Sequence, residues 1–323
     1  GDHHGNLQCA GSRRQAIERI MSNGSFINRQ TPDSGEIFLD HIGWFTPDLE
    51  SAGSAFERLG FILTPITPHT HENAAGERIP SGTANRCAML ELGYLEILTH
   101  VPELDTPVAN QLRVGLERYP GLHLIAFTCA DAAIEAPRIK DAGFDPLPTT
   151  DLRRRVEIHD GGEITAEFSV IRLPPGAMAE GRVQMLTQDT PEAVWLGSLI
   201  ARDNAIDALA GVIVCSSDPQ EAAARFGRLT GGSPFQGERG LELALDRGRV
   251  SFVAPDQFRA LVPDARIPSD PFIGAAIMRS RDLAATMSFM KDRNVEYSAP
   301  KDGVIVIDAI DAMGAYLVIE GPQ

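Results

Sequence analysis

The sequence predicts an α+β chain made of four βαβββ modules that pair into two domains. One short unit recurs four times: an apolar strand, a helix opened by Asp, a Gly or Asn stop, and later a strand that begins with Gly. The opening strands are Leu39–Phe45, Gly121–Phe127, Ala210–Cys215 and Gly274–Met278, and the closing strands are Gly93–Thr99, Gly181–Thr187, Gly248–Ala254 and Gly314–Glu320. A length of 323 residues with 43% apolar content supplies two ordinary cores, which agrees with four modules taken in pairs.

Each element follows from local chemistry. Asp48 caps a helix whose Leu49, Ala52, Phe56 and Leu59 recur at helical spacing, and Gly60 supplies the left-handed stop. Asp131 and Gly143 bound the second helix. Asp218-Pro219 opens the third with a cap followed by Pro, which has no N–H to lose at the first helical position, and Gly231 closes it. Asp282 and Asn294 bound the fourth, Asn being the residue that best tolerates the left-handed conformation after Gly. The boundaries expected are a polar arm at 1–36 with a short helix at Ser12–Met21, a first domain at 37–187, a connecting helix within 188–208 centred on Thr190–Leu196, and a second domain at 209–323. Pro65–Thr83 reads as a long binding loop and Pro263–Pro271 as an extended connection.

Composition narrows the partners. The 44 acidic residues outnumber the 29 basic ones, for a net charge of −15, and no basic run compensates, so neither nucleic acid nor an anionic membrane surface is expected as a partner. No stretch reaches the roughly 18 to 20 apolar residues of a membrane helix. Cys9, Cys87, Cys129 and Cys215 lie far apart and read as small buried residues of a chain kept in a reducing, cytoplasmic setting. The N-terminus lacks a basic-then-apolar signal pattern, and His3 and His4 beside Gly1 are left out of the chemistry.

Alignment of the four units sets His41, Glu96, His123 and Gln184 at equivalent places in the first pair, where the second pair has Gly211, Ser251, Ala275 and an apolar Leu317 or Val318. A strand alternates its faces, so His41 goes with Gly43 and Phe45, Glu96 with Tyr94 and Leu98, His123 with Ile125 and Phe127, and Gln184 with Arg182 and Leu186. Two imidazoles, one carboxylate and one amide oxygen converging from four strands suit a divalent first-row metal with open coordination positions. A single His on an apolar strand is ordinarily a core residue; the filling of all four repeated positions in one pair and of none in the other argues for a site. His69, His71, His100 and His159 occupy no repeated position and rank below these four.

The paired modules carrying His41, Glu96, His123 and Gln184 resemble the vicinal oxygen chelate superfamily of glyoxalase I, methylmalonyl-CoA epimerase, extradiol dioxygenases and the fosfomycin or bleomycin resistance proteins. The segment Gly82-Thr83-Ala84-Asn85-Arg86, followed by Gly93-Tyr94-Leu95-Glu96, is similar to the glyoxalase-like domain family. The resemblance covers 37 to about 187 well, and 209–321 in fold only. It implies one divalent metal ion (Zn, Ni, Co, Mn or Fe) held by His41, Glu96, His123 and Gln184, with the single carboxylate in the first module.

Three activities are compatible with that reading. The first is a metal-dependent lyase or isomerase of glyoxalase type, in which a small substrate chelates through vicinal oxygens and passes through an enediolate, Glu96 serves as ligand and base, and Asn85 and Arg86 bind an oxyanion. The second is a non-haem Fe(II) ring-cleaving dioxygenase using two His and one carboxylate. The third is a binding protein that sequesters a small molecule or drug without turnover, as bleomycin resistance proteins do. The two modules either share one cavity within a chain or exchange between chains of a homodimer.

Overall fold

A computed structural model of the chain describes residues 29–72, 77–157 and 162–322. The arm helix expected at Ser12–Met21, and His159, lie outside them. The first half runs β1 (Ile37–Phe45), α1 (Leu49–Arg58), β2 (Thr67–Glu72), β3 (Arg78–Met89), β4 (Tyr94–His100), α2 (Pro107–Arg118), β5 (Gly121–Cys129), α3 (Ala132–Asp141), β6 (Thr150–Glu157), β7 (Glu163–Arg172) and β8 (Arg182–Gln188). The second runs β9 (Ile206–Cys215), α4 (Pro219–Thr230), β10 (Phe235–Gln236), β11 (Leu241–Ala244), β12 (Arg249–Val253), α5 (Pro255–Leu261), β13 (Phe272–Ser280), α6 (Leu283–Asp292), β14 (Tyr297–Lys301), β15 (Val304–Ile307) and β16 (Tyr316–Glu320).

Each half forms one eight-stranded sheet, and the two share one topology: β2-β3-β4-β1-β5-β8-β7-β6 and β10-β11-β12-β9-β13-β16-β15-β14. Within each module the first and last strands pair in parallel, and the two modules of a sheet meet through antiparallel β1–β5 or β9–β13. The fold is α+β, as the repeats predict. The caps also fall where expected. Asp48, Asp131, Asp218 and Asp282 each accept from a backbone N–H of the first turn, and Gly60, Gly143, Gly231 and Asn294 take positive φ at the helix ends.

Three stretches differ from expectation. The segment around Thr190–Leu196 is not an α-helix but two 3-10 turns, Pro191–Ala193 and Gly197–Leu199, with Trp195 buried between them. Trp195 donates from Nε1 to the Gly93 carbonyl at 3.3 Å and meets Tyr94 edge-on, so tertiary anchoring of one indole replaces a helical stripe. Much of Pro65–Thr83 is the β2–β3 hairpin rather than a loop: Pro68 lies on the edge strand β2, and Pro80 lies ahead of the stretch of β3 that pairs with β4, places that tolerate a missing donor. Helices α2 and α5, absent from the repeat reading, both begin with Pro at the first position, α2 behind a Thr106 cap.

The halves are fused by one continuous core, which takes in Leu39, Trp44 and Phe56 from the first and Val212, Phe226 and Ile319 from the second. Trp44 Nε1 donates to the Ala312 carbonyl at 3.0 Å, and Arg225 of α4 grips the buried Glu180 carboxylate with both terminal nitrogens at 2.8 and 2.9 Å. A fork paired with both carboxylate oxygens satisfies the buried charge on each side.

Candidate active site

The first sheet curls around an open-mouthed cavity of about 810 Å³, a figure that takes in the solvent at its mouth. Strands β1, β4, β5, β7 and β8 set His41, Glu96, Leu124, Arg172 and Gln184 toward it, and β2 and β6 add His69 and Arg154.

His41 is the most constrained of these. A register shift between Leu39 and His41 against β5 leaves Asp40 as the extra residue of the strand. The Asp40 carboxylate is fully buried, takes two hydrogen bonds from Gln188 Nε2 at 3.0 and 3.2 Å, and accepts from His41 Nδ1 at 2.7 Å. Nδ1 therefore carries the proton, and Nε2 is the nitrogen that faces Glu96 Oε2 at 3.6 Å. The ring stacks on Tyr94 with centroids 4.3 Å apart, which fixes its plane.

Glu96 is buried, and burial alone would push its carboxyl up. The neighbouring His41, Arg154 and His69, together with a 2.6 Å hydrogen bond donated by Asn85 Nδ2 to Oε1, outweigh that and hold it below its ordinary value. It is a carboxylate at neutral pH. Asn85, expected to bind substrate, braces Glu96 instead. Arg86 points the other way, donating to the Thr64 carbonyl at 2.9 Å and pairing with Glu57, so it does not reach the cavity.

His123 does not join His41, Glu96 and Gln184. A second register shift, between Gly43 and Trp44, leaves His123 as the extra residue of β5, since Gly43 pairs with Leu124 and Trp44 with Leu122. The equivalence shows in the parallel ladders: His41 pairs with Tyr94, Leu124 with Arg182, Gly211 with Arg249 and Ala275 with Tyr316. Leu124 thus occupies the place matching His41. His123 instead stacks between Phe45 and Tyr119 at 4.9 and 4.0 Å and donates from Nε2 to the Tyr119 carbonyl at 2.7 Å. Gly115 of α2 makes this seat possible, because a Cβ there would come within 2.8 Å of Phe45 and 3.4 Å of His123 Nδ1. Burial pushes the imidazole down to about 4, so it is neutral.

His69, without a repeated position in the sequence, lines the cavity. Its Nδ1 lies 2.8 Å from Thr83 Oγ1, and its Nε2 is sealed from solvent with no hydrogen-bond partner. Burial, followed by the charge of Arg154, pushes it down to about 3.

Among the described residues no group of three or more His, Cys, Asp or Glu is spaced to hold a metal ion. The donors that share the cavity are two imidazoles, one carboxylate and one amide, from His41, His69, Glu96 and Gln184. In the second sheet the corresponding places hold Gly211, Ser251, Ala275 and Val318, and the concave side is filled by Phe258 of α5 packed with Phe272, Tyr316 and Val318. Glu320 there is held by Arg239 and Arg249.

The fold has known relatives. A profile described as a glyoxalase-like domain matches residues 39–230, more than half of the chain. No curated protein matches. A hypothetical protein from Staphylococcus aureus is similar in structure over 88% of this chain and 100% of its own, with TM-score 0.60 and 12% identity. A triple mutant of 4-hydroxymandelate synthase from Streptomyces coelicolor is similar over 88% of this chain and 92% of its own, with TM-score 0.54 and 14% identity. Methylmalonyl-CoA epimerase from Streptomyces coelicolor matches 48% of this chain and 99% of its own, with 24% identity and TM-score 0.32. With its duplicated, curled sheets and the profile match across β1 to α4, the chain belongs to the glyoxalase-like domain family of the vicinal oxygen chelate superfamily.

Proposed function

We propose that the cavity of the first sheet is the active centre of a metal-dependent lyase or isomerase acting on a small substrate with neighbouring oxygens. The observation that carries the proposal is the facing of His41 Nε2 and Glu96 Oε2 across 3.6 Å. Asp40 engages Nδ1, so Nε2 is left to face the ionised Glu96 carboxylate, and a positive charge between them, a proton on Nε2 or a metal ion in its place, reconciles the two. A divalent ion whose N and O donors lie at about 2.0–2.2 Å is compatible with that separation. His41, Glu96 and Gln184 would hold it, and Leu124 removes the second imidazole expected at that corner. Such an ion supplies polarisation of a substrate carbonyl and stabilisation of an enediolate.

The remaining roles fall to the chain's own groups. Asn85 keeps Glu96 ionised and oriented, both to hold the ion and as the group we assign to receive the proton. His69, with Nδ1 against Thr83 Oγ1 and pushed down to about 3 by burial, is part of the wall beside it. Leu98, Leu124 and Val170 line the apolar wall and limit water around the reacting carbon.

The test is metal-dependent exchange of solvent deuterium into the carbon beside the carbonyl of small 2-hydroxy ketones and 2-oxo acids, followed by NMR after reloading stripped protein with Zn, Ni, Co, Mn or Fe(II). Exchange that disappears in His41→Ala and Glu96→Gln supports the reading. Oxygen uptake with a catechol under Fe(II), without exchange, would make the chain a dioxygenase; ligand binding with neither would make it a sequestering protein.

A further inference from the structure

Strands β6, β7 and β8 bring Arg154, Arg172 and Arg182 to the same cavity. None of the three makes an ion pair among the described residues, although the chain is strongly acidic. Their neighbours show the contrast. Arg153 and Arg155 are exposed and pair across the hairpin with Glu167 and Glu163, while Arg154 between them turns inward over the Phe168 ring at 5.8 Å. Arg172 sits opposite Gln184 in the β7–β8 ladder, and its side chain makes no hydrogen bond among the described residues. Arg182 spends Nε on Gln111 Oε1 at 2.8 Å and lies over Phe45, but one of its terminal nitrogens is buried with no partner.

The three charges work against one another. Burial and then Arg154 lower Arg172, and burial and then Arg172 lower Arg182, to about 10, with Glu96 only partly compensating. Three guanidinium groups against one carboxylate leave the cavity positive inside a protein of net charge −15. Apolar surface adjoins them on the same strands, through Val170 of β7 and Leu186 of β8, with Leu124 of β5 beside. Guanidinium groups with free donors in a partly enclosed site fit the oxygens of a carboxylate or phosphate.

We propose that Arg154, Arg172 and Arg182 form an anion subsite that recognises the carboxylate or phosphate of a substrate whose short apolar body lies along Leu124 and Val170. This deepens the reading of the cavity as a substrate site and stands apart from the metal, because none of the three arginines is among the metal donors.

The experiment uses the full-length protein stripped of metal, so that failure of the metal reading leaves it intact. Binding of 3-phenylpropionate, of its neutral amide and of phenyl phosphate is measured by calorimetry. The anions should bind about tenfold or more tightly than the amide, and the tighter of the two anions identifies the headgroup. Arg172→Gln and Arg182→Lys should each weaken the anion about tenfold, the latter because a point charge replaces a fork. Glu96→Gln should strengthen it by removing the opposing charge. Arg155→Gln, which changes net charge equally outside the cavity, should leave it unchanged. Arg172→Gln should fold and melt no lower than the parent, since it relieves repulsion. Equal affinity for acid and amide, no binding of either anion, or anion affinity indifferent to Arg172 and Arg182 would overturn the assignment.

Discussion

Asp40 Oδ2 lies 2.7 Å from His41 Nδ1, and this one contact decides which imidazole nitrogen faces the cavity. It exists because β1 carries an extra residue at Asp40, so that two consecutive side chains cooperate where strict alternation would have separated them. Replacing the carboxylate leaves His41 in place but frees its tautomer. Asp40→Asn should lower metal affinity about ten- to a hundredfold while secondary structure is retained, measured by competition with a chelating dye. Unchanged affinity would remove Asp40 from the site.

Metal content should separate ligands from bystanders. His41→Ala and Glu96→Gln should lose the ion, Gln184→Ala should weaken it less because an amide attracts a dication less than a carboxylate does, and His123→Ala should leave the content of about one ion per chain unchanged. His69→Gln should retain the ion, and loss of metal in that variant would make His69 a ligand.

His123 should matter for stability instead. It is buried against two aromatic rings, and His123→Ala should cost about 2–4 kcal/mol in a denaturant melt.

Its titration gives a second measure. Folding lowers His123 from 6.5 to about 4, so between those values the unfolded chain binds the extra proton and stability falls as pH falls. The contribution is intact above the unfolded value and is lost as pH drops toward about 4. His123→Phe, which keeps an aromatic ring without the titration, should flatten the melting temperature across that window. An unchanged slope would show that His123 is not the buried base responsible.

The second sheet should bind no ion. Full-length protein carrying His41→Ala with Glu96→Gln should show no residual transition metal by elemental analysis, since Gly211, Ser251, Ala275 and Val318 offer no imidazole or carboxylate and Glu320 is taken by two arginines. A stoichiometric ion in that variant would place a site outside the first sheet.

The repeats were legible because caps and stops are local: an Asp before an apolar period and a Gly after it act within one turn, and all four appear in the fold. Glu96 and Gln184 were legible for the same reason, their strands being regular in pairing. His123 was not, because a bulge is set by tertiary pairing and shifts every later side chain by one face. Arg182 shares a face with Gln184 by simple alternation, and Arg154 stands between two outward arginines, so the cationic wall left a trace in the sequence. His69 left none, since its place depends on how the β2–β3 edge folds over the cavity.

The filled concavity of the second sheet has an evolutionary and an engineering meaning. Two bowls of one topology share a core; among the described residues the first lines a cavity, and the second is stoppered by Phe258 against Phe272 and Tyr316. The stoppered copy lends buried residues such as Val212, Phe226 and Ile319 to the core that both sheets share. Emptying the stopper with Phe258→Ala would open space in a bowl that never needed donors, offering a blank chamber in which a new binding function could be written without disturbing the old one.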